Sequence, residues 1–338
     1  MSMTDRVDAF QRRHPAAGYP VAVLYKFFDD QGNYLAALIA YYGFVSLFPL
    51  LLLLSTILGF LLRGDAQLQQ RVLHSALSQF PVIGQQLGEP KAIGGGTSGL
   101  VIGIVGSIYG GLGVAQAVQN AMNTAWAIPR NSRPNPIKAR GRSLLLLGVV
   151  GLAIAGTTVL SALGSSAGAY GASIGLGLKV LLIVASVVVN AGVFILAFRV
   201  ATARDLTFSD VVPGAVGAAV IWQILQTFGT VYVGHVVKGA SATNGVFALV
   251  LGLLAFIYLA AVGVVLCVEA NVVRVRHLHP RALLTPFTDN VDLTSGDRSV
   301  YASAAKAQRT KGFEEVDVQF HPPAPENDQP PAGSPDSS

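Results

Sequence analysis

Charge is what this chain lacks most. Only 12% of its 338 residues are Asp, Glu, Lys or Arg, about half of the roughly 25% typical of a soluble domain. Six stretches contain none at all: 31–62, 92–129, 143–178, 180–198, 211–237 and 239–268. Each is long enough to cross the hydrocarbon core of a bilayer, about 30 Å thick, which takes about 20 apolar residues. That excludes an ordinary soluble enzyme. Cysteine is nearly missing too. Cys267 stands alone, which excludes an intramolecular disulfide, and its apolar run marks it as a small packing residue. No secretory signal peptide is evident, because residues 1–30 carry several charges and no apolar core segment; targeting is expected to fall to the first spanning segment.

Acidic residues are absent between Glu89 and Asp205. Within that window the cations gather in one short loop, as Arg130, Arg133, Lys138, Arg140 and Arg142. Although the net charge of +5 would suit nucleic acid, basic clusters beside spanning helices report orientation and contact with anionic lipid. The expected partners are therefore membrane lipids, with no nucleic acid. Also missing are a nucleophile elbow, a phosphate-cradling loop and paired catalytic carboxylates. Gly94-Gly95-Gly96 is glycine-rich but lacks the Lys-Ser/Thr of a nucleotide loop,. No enzymatic role, no cofactor and no metal site are expected.

What is present is an all-α, polytopic membrane protein. Six transmembrane helices are expected near 34–62, 98–125, 143–163, 179–199, 211–235 and 245–270, as one bundle spanning 34–271. Residues 1–33 form a cytoplasmic N-terminus, and 272–338 a cytoplasmic basic segment and tail. Up to Arg281, Lys and Arg number fourteen on the side of the termini and five on the other, which places both termini in the cytoplasm. Tyr19, Val23, Phe27 and Phe28 beside Lys26, Asp29 and Asp30 suit an interfacial helix over 18–30,. A second amphipathic segment over 66–80 is expected on the outer surface, and a Gly/Ala/Ser hinge over 164–177. Trp126 stands where an interface anchor is expected. Residues 286–338, rich in Pro, Ser, Asp and Glu, are expected to be disordered,.

Polar side chains inside the spans are the candidate site. Gln116, Asn120 and Asn123 recur at i, i+4 and i+7 and so share a helix face,. Gln223 and Gln226 lie on adjacent turns, Asn190 lies near mid-depth, and Tyr41 and Ser46 precede Pro49. Glu269 is the one carboxylate within or at the end of a span, with Arg199 as a candidate partner. Groups of this kind are costly against lipid and face a bundle interior. Tyr41, Ser46, Gln116, Asn120, Gln223, Gln226 and Glu269 are expected to line one polar cavity that binds a substrate, with Pro49 as a hinge. Interhelical hydrogen bonding alone would explain the same residues. The pairs Gly99/Gly103 and Gly106/Gly110 point to close helix packing,.

Three segments carry a family resemblance. The first is Ala40-Tyr41-Tyr42 with Ser46-Leu47-Phe48-Pro49-Leu50. The second is Ala121-Met122-Asn123-Thr124-Ala125-Trp126. The third runs from Asp210 and Pro213-Gly214-Ala215 through Trp222, Gln226, Tyr232 and Gly245-Val246-Phe247-Ala248 to Tyr258-Leu259 and Glu269-Ala270-Asn271. Over about 20–275 the chain resembles the YihY/BrkB family of bacterial inner-membrane proteins, some of which are labelled ribonuclease BN. It departs from the family in having Asn244-Gly245 where Tyr-Gly is frequent. The resemblance implies an inner-membrane protein of the cell envelope, linked to serum resistance and, for some relatives, to moving envelope lipids. A metal-dependent ribonuclease needs clustered His and Asp ligands. The nearest sequence is His277-Leu278-His279-Pro280, with no following Asp-His, so that label finds no support in the residues. A transporter or flippase-like role for a lipid or amphiphile is the leading expectation, and a structural or scaffolding role the alternative.

Overall fold

Long uncharged apolar runs have one way to satisfy their backbone in lipid, which is to bond within the segment as helices. The computed structural model describes residues 3–61, 97–151, 176–236, 242–288 and 291–321. Among these, all regular structure is helical. The elements are α1 (Met3–Arg13), α2 (Pro15–Asp29), α3 (Gly32–Leu61), α4 (Thr97–Ala125), a 3-10 turn (Arg130–Ser132), α5 (over 136–151), α6 (Leu176–Ala201), α7 (Phe208–Val236), α8 (Ala242–Arg276) and α9 (Ser295–Ala307). Among the described residues, three helices are long and apolar enough to cross a membrane, over Ile183–Ala201, Phe208–Gly229 and Val250–Arg276. α3 and α4 occupy the places expected for the first two spans, and α5 begins at 136 rather than near 143. The segment 66–80 and most of the stretch 164–177 lie outside the described residues.

The outward faces of these helices are apolar. In α6, Val180, Leu181, Ile183, Val184 and Val188 are exposed, and only 11% of the Ile183–Ala201 window is buried. An apolar surface of that extent suits lipid and not water. The inward faces pack closely on small residues. A Cβ added to Gly110 would lie 2.5 Å from the Ser46 Cβ and 2.6 Å from its Cα, and one on Gly106 would lie 2.7 Å from the Pro49 Cβ. The second of the two glycine pairs in α4 is thus where α3 meets α4 within one chain, while α3 runs on through Pro49 as helix. Gly110→Ala is therefore expected to destabilise by about 1–3 kcal/mol, the range for overpacking. Gly148→Ala, where nothing lies within 4 Å, is expected to be neutral; melting of the two variants in the same detergent checks the contrast.

Two expectations fail here. Trp126 is not an interface anchor but a core residue, 1% exposed. Its carbonyl accepts from Arg276 and its ring lies 5.7 Å from the Arg204 guanidinium. Nor is the chain disordered from 286 onward, because α9 is ordered and docked. Thr294 and Asp297 form a reciprocal capping box, and Asp297, fully buried, pairs with the equally buried Arg281. Capping and ionic pairing, together with Val300 buried in the core, order this segment,.

Candidate functional site

Polar chemistry collects at one end of the bundle. There α2, the last turns of α4 and α8, and the first turns of α7 converge. Lys26 pairs with Asp30 one turn on. Its Nζ also lies 3.5 Å from the Glu269 Oε2 and donates to the Ala125 carbonyl at 3.2 Å. Burial opposes the Lys26 charge, but Glu269 and Asp30 outweigh it and hold the ammonium above its ordinary range. Burial likewise raises the Asp30 carboxyl, against the opposing pull of Lys26. Arg199, the partner expected for Glu269, is elsewhere: it donates to the Leu206 carbonyl at 3.0 Å and lies over the Phe208 ring.

The start of α7 shows a second junction. Pro213 lacks the N–H that would bond to the Ser209 carbonyl, four residues back. Arg274 of α8 donates to that carbonyl instead. Asn271 completes the clamp, accepting from Gly214 N–H at 2.8 Å and donating to the Val211 carbonyl at 3.1 Å. Gly214 leaves no room for a Cβ against Asn271 and the Cys267 carbonyl. Nearby, the Asn123 side chain accepts from Ala203 N–H at 2.8 Å. Gln119, which the i, i+4, i+7 face passed over, is buried and donates to the Ser143 hydroxyl at 2.9 Å.

Above this polar end lies an apolar cavity of about 250 Å³. Every helix from α3 to α8 contributes to it, through Ile39, Val118, Leu147, Phe194, Trp222 and Ala261 among others. Holes of about 150 Å³ already admit a benzene, so this one has room for part of a hydrocarbon chain.

None of the seven residues expected to share a polar cavity lines this one. Tyr41 and Gln116 are exposed, Asn120 accepts from Arg133 at 3.1 Å, and Ser46 donates back to the Gly43 carbonyl at 2.9 Å. Gln223 and Gln226 are half-buried on α7, and Glu269 is fully buried beside Lys26. The set spans the range from exposed to fully buried. Of the loop cations, Arg130, Lys138 and Arg140 remain exposed. Arg133 also bonds to the Ile128 carbonyl, and Arg142 to the Thr202 carbonyl. His277 is exposed, and His279 lies edge-on to the Tyr19 ring.

Residues 23–288 match the family described as virulence factor BrkB. The chain belongs to this family. Neither a curated relative nor a solved structure matches it. The matched region holds both junctions in full and excludes α1, α9 and the segment after 288. Within it, the Asp210–Ala215 segment and the Glu269-Ala270-Asn271 segment meet beside Pro213, where Arg274 takes the Ser209 carbonyl that proline leaves without its helix donor and Asn271 bonds to Gly214 and Val211. Membrane-type helices and family membership together make this a membrane protein.

Proposed function

We propose that this protein is a six-span inner-membrane protein with both termini in the cytoplasm, and that it takes the hydrocarbon chain of a lipid or amphiphile into its bundle as a transporter or flippase-like carrier. The carrying observation is the apolar cavity at which α3 through α8 meet. A hole with no polar lining side chains does not recognise a headgroup, but it accepts an acyl or isoprenoid chain. The exposed Arg130, Lys138 and Arg140 supply attraction for an anionic headgroup at the rim of the polar end,. Catalysis has no part in this reading. The test is reconstitution of the full chain in vesicles with a headgroup-labelled anionic phospholipid. Exchange between leaflets is expected above the protein-free rate, and Ala260→Phe, which fills the cavity wall, is expected to return it to that rate with the melting temperature kept.

One observation favours the alternative of a non-transporting scaffold. Gln119, Asn123 and Asn271 each bond to another element of the bundle, as packing alone would have it. Exchange at the protein-free rate for wild type and variant alike would decide for that reading.

A further inference from the structure

The junction of α2 with α8 holds two carboxyls and one ammonium out of water. The side chains of Lys26, Asp30 and Glu269 are 3%, 8% and 0% exposed. Lys26 is committed to Asp30 and to the Ala125 carbonyl. Its Nζ lies 3.5 Å from the Glu269 Oε2 as an ion-pair contact, and neither Glu269 oxygen accepts a hydrogen bond. The Asp30 and Glu269 carboxyls thus flank a single ammonium. Two carboxylates cannot bond to each other, because both only accept. The other charged groups nearby make their direct contacts elsewhere. Arg276 donates to the Trp126 carbonyl, Asp29 is paired with Arg281 at 2.8 Å, and Arg204 is exposed beside the Trp126 ring. α4 offers only the Ala125 carbonyl. With both acids ionised the triad would bury a net negative charge, which is strongly disfavoured.

We propose that Asp30 and Glu269 are a proton-binding site, one proton shared between them at neutral pH, with Lys26 balancing the remaining charge. The pair titrates as a unit. A proton makes the sealed triad neutral and supplies the missing hydrogen bond, so proton binding is coupled to the seating of α2 on α8. The site is placed to act on the bundle above it. Ile257, Ala261, Val265 and Glu269 follow at four-residue steps on one face of α8, and the first two line the apolar cavity,. Glu269 thus lies about 12 Å along the helix from Ala261 at 1.5 Å per residue. The proposal stands whatever occupies that cavity.

Infrared difference spectroscopy of the full chain in lipid tests it. A protonated-carboxyl band is expected in the wild type at neutral pH and is expected to vanish on alkalinisation. Glu269→Gln and Asp30→Asn should each abolish it, since either leaves a neutral pair of Lys26 with one carboxylate. A structural role alone would not make the two substitutions equivalent. Stability gives an independent reading. Acids that hold protons more tightly when folded lose stability as pH rises above the ordinary carboxylate range, the reverse of a salt-bridged carboxylate. The wild-type melting temperature should fall in that direction, and Glu269→Gln should flatten the slope. No band in the wild type at neutral pH, or a band that survives either substitution, overturns the proposal; the wild-type titration decides even where a variant does not fold.

Discussion

Lys26→Met is expected to lower the stability of the full chain by about 3–5 kcal/mol, the range for removing one partner of a buried ion pair. The side chain is 3% exposed and faces Asp30 and Glu269. Its loss leaves both acids sealed without a cation, and the Ala125 carbonyl without its donor. Methionine keeps the volume, so the effect is electrostatic and not a cavity. The diagnostic arm is the triple variant Lys26→Met/Asp30→Asn/Glu269→Gln. Removing the negative charge that the two acids carry together should recover a large part of the loss, as a coupling between contacting residues does. A triple variant no more stable than Lys26→Met would show that the three groups do not act together. Chemical denaturation in detergent, fitted for both variants and the wild type, makes the comparison.

Arg281→Met is expected to release α9 without unfolding the bundle. Arg281 is fully buried and reaches two acids, Asp297 and Asp29. Its backbone carbonyl also accepts from Gln11 of α1. Asp8 of α1 accepts from Leu283 N–H at 3.0 Å, and Tyr25 of α2 donates to the Leu283 carbonyl at 2.7 Å. The guanidinium therefore fastens α9 to α2, while the backbone of Arg281 and Leu283 bonds to both N-terminal helices. The cost again falls in the range of about 3–5 kcal/mol, but it is local. Limited proteolysis should cut within 291–321 in the variant at concentrations that spare the wild type, with the spanning helices intact. Equal protection of that segment in both would refute the assignment. Substitution of the exposed His277 serves as the control and should change nothing.

The spans were legible because membrane thickness sets a length that sequence reports directly. α6, α7 and α8 begin and end within a few residues of their expected bounds, α8 running on to Arg276. What periodicity cannot give is the partner across the bundle. Nothing in the sequence near Glu269 points to Lys26, which stands on a different helix near the other end of the chain. The visible trace was the Lys26/Asp30 spacing of i, i+4 on an otherwise apolar helix, a pattern of ion pairing. Gln119 escaped because the face drawn through Gln116, Asn120 and Asn123 excludes it, and the face chosen turned out to grade from exposed to buried. Trp126 was ambiguous in kind, since tryptophan at a helix end suits both an interface and a core. The tail was hidden by its average composition, which masked the single Thr294-Ser-Gly-Asp297 capping signal.

The distribution of bonds gives the bundle a pivot. At the end where α2, α7 and α8 converge, the helices are pinned by Lys26, Asn271, Arg274 and Arg276, each reaching another element through a directional contact. Farther along, α3 and α4 meet by close packing of glycine against Ser46 and Pro49 rather than through directional bonds. A small rotation at the pinned end is a larger displacement toward the far end of a helix about 40 Å long, at 1.5 Å per residue over the 29 residues of α4,. Angles set at the base therefore decide the width of the bundle at its other end.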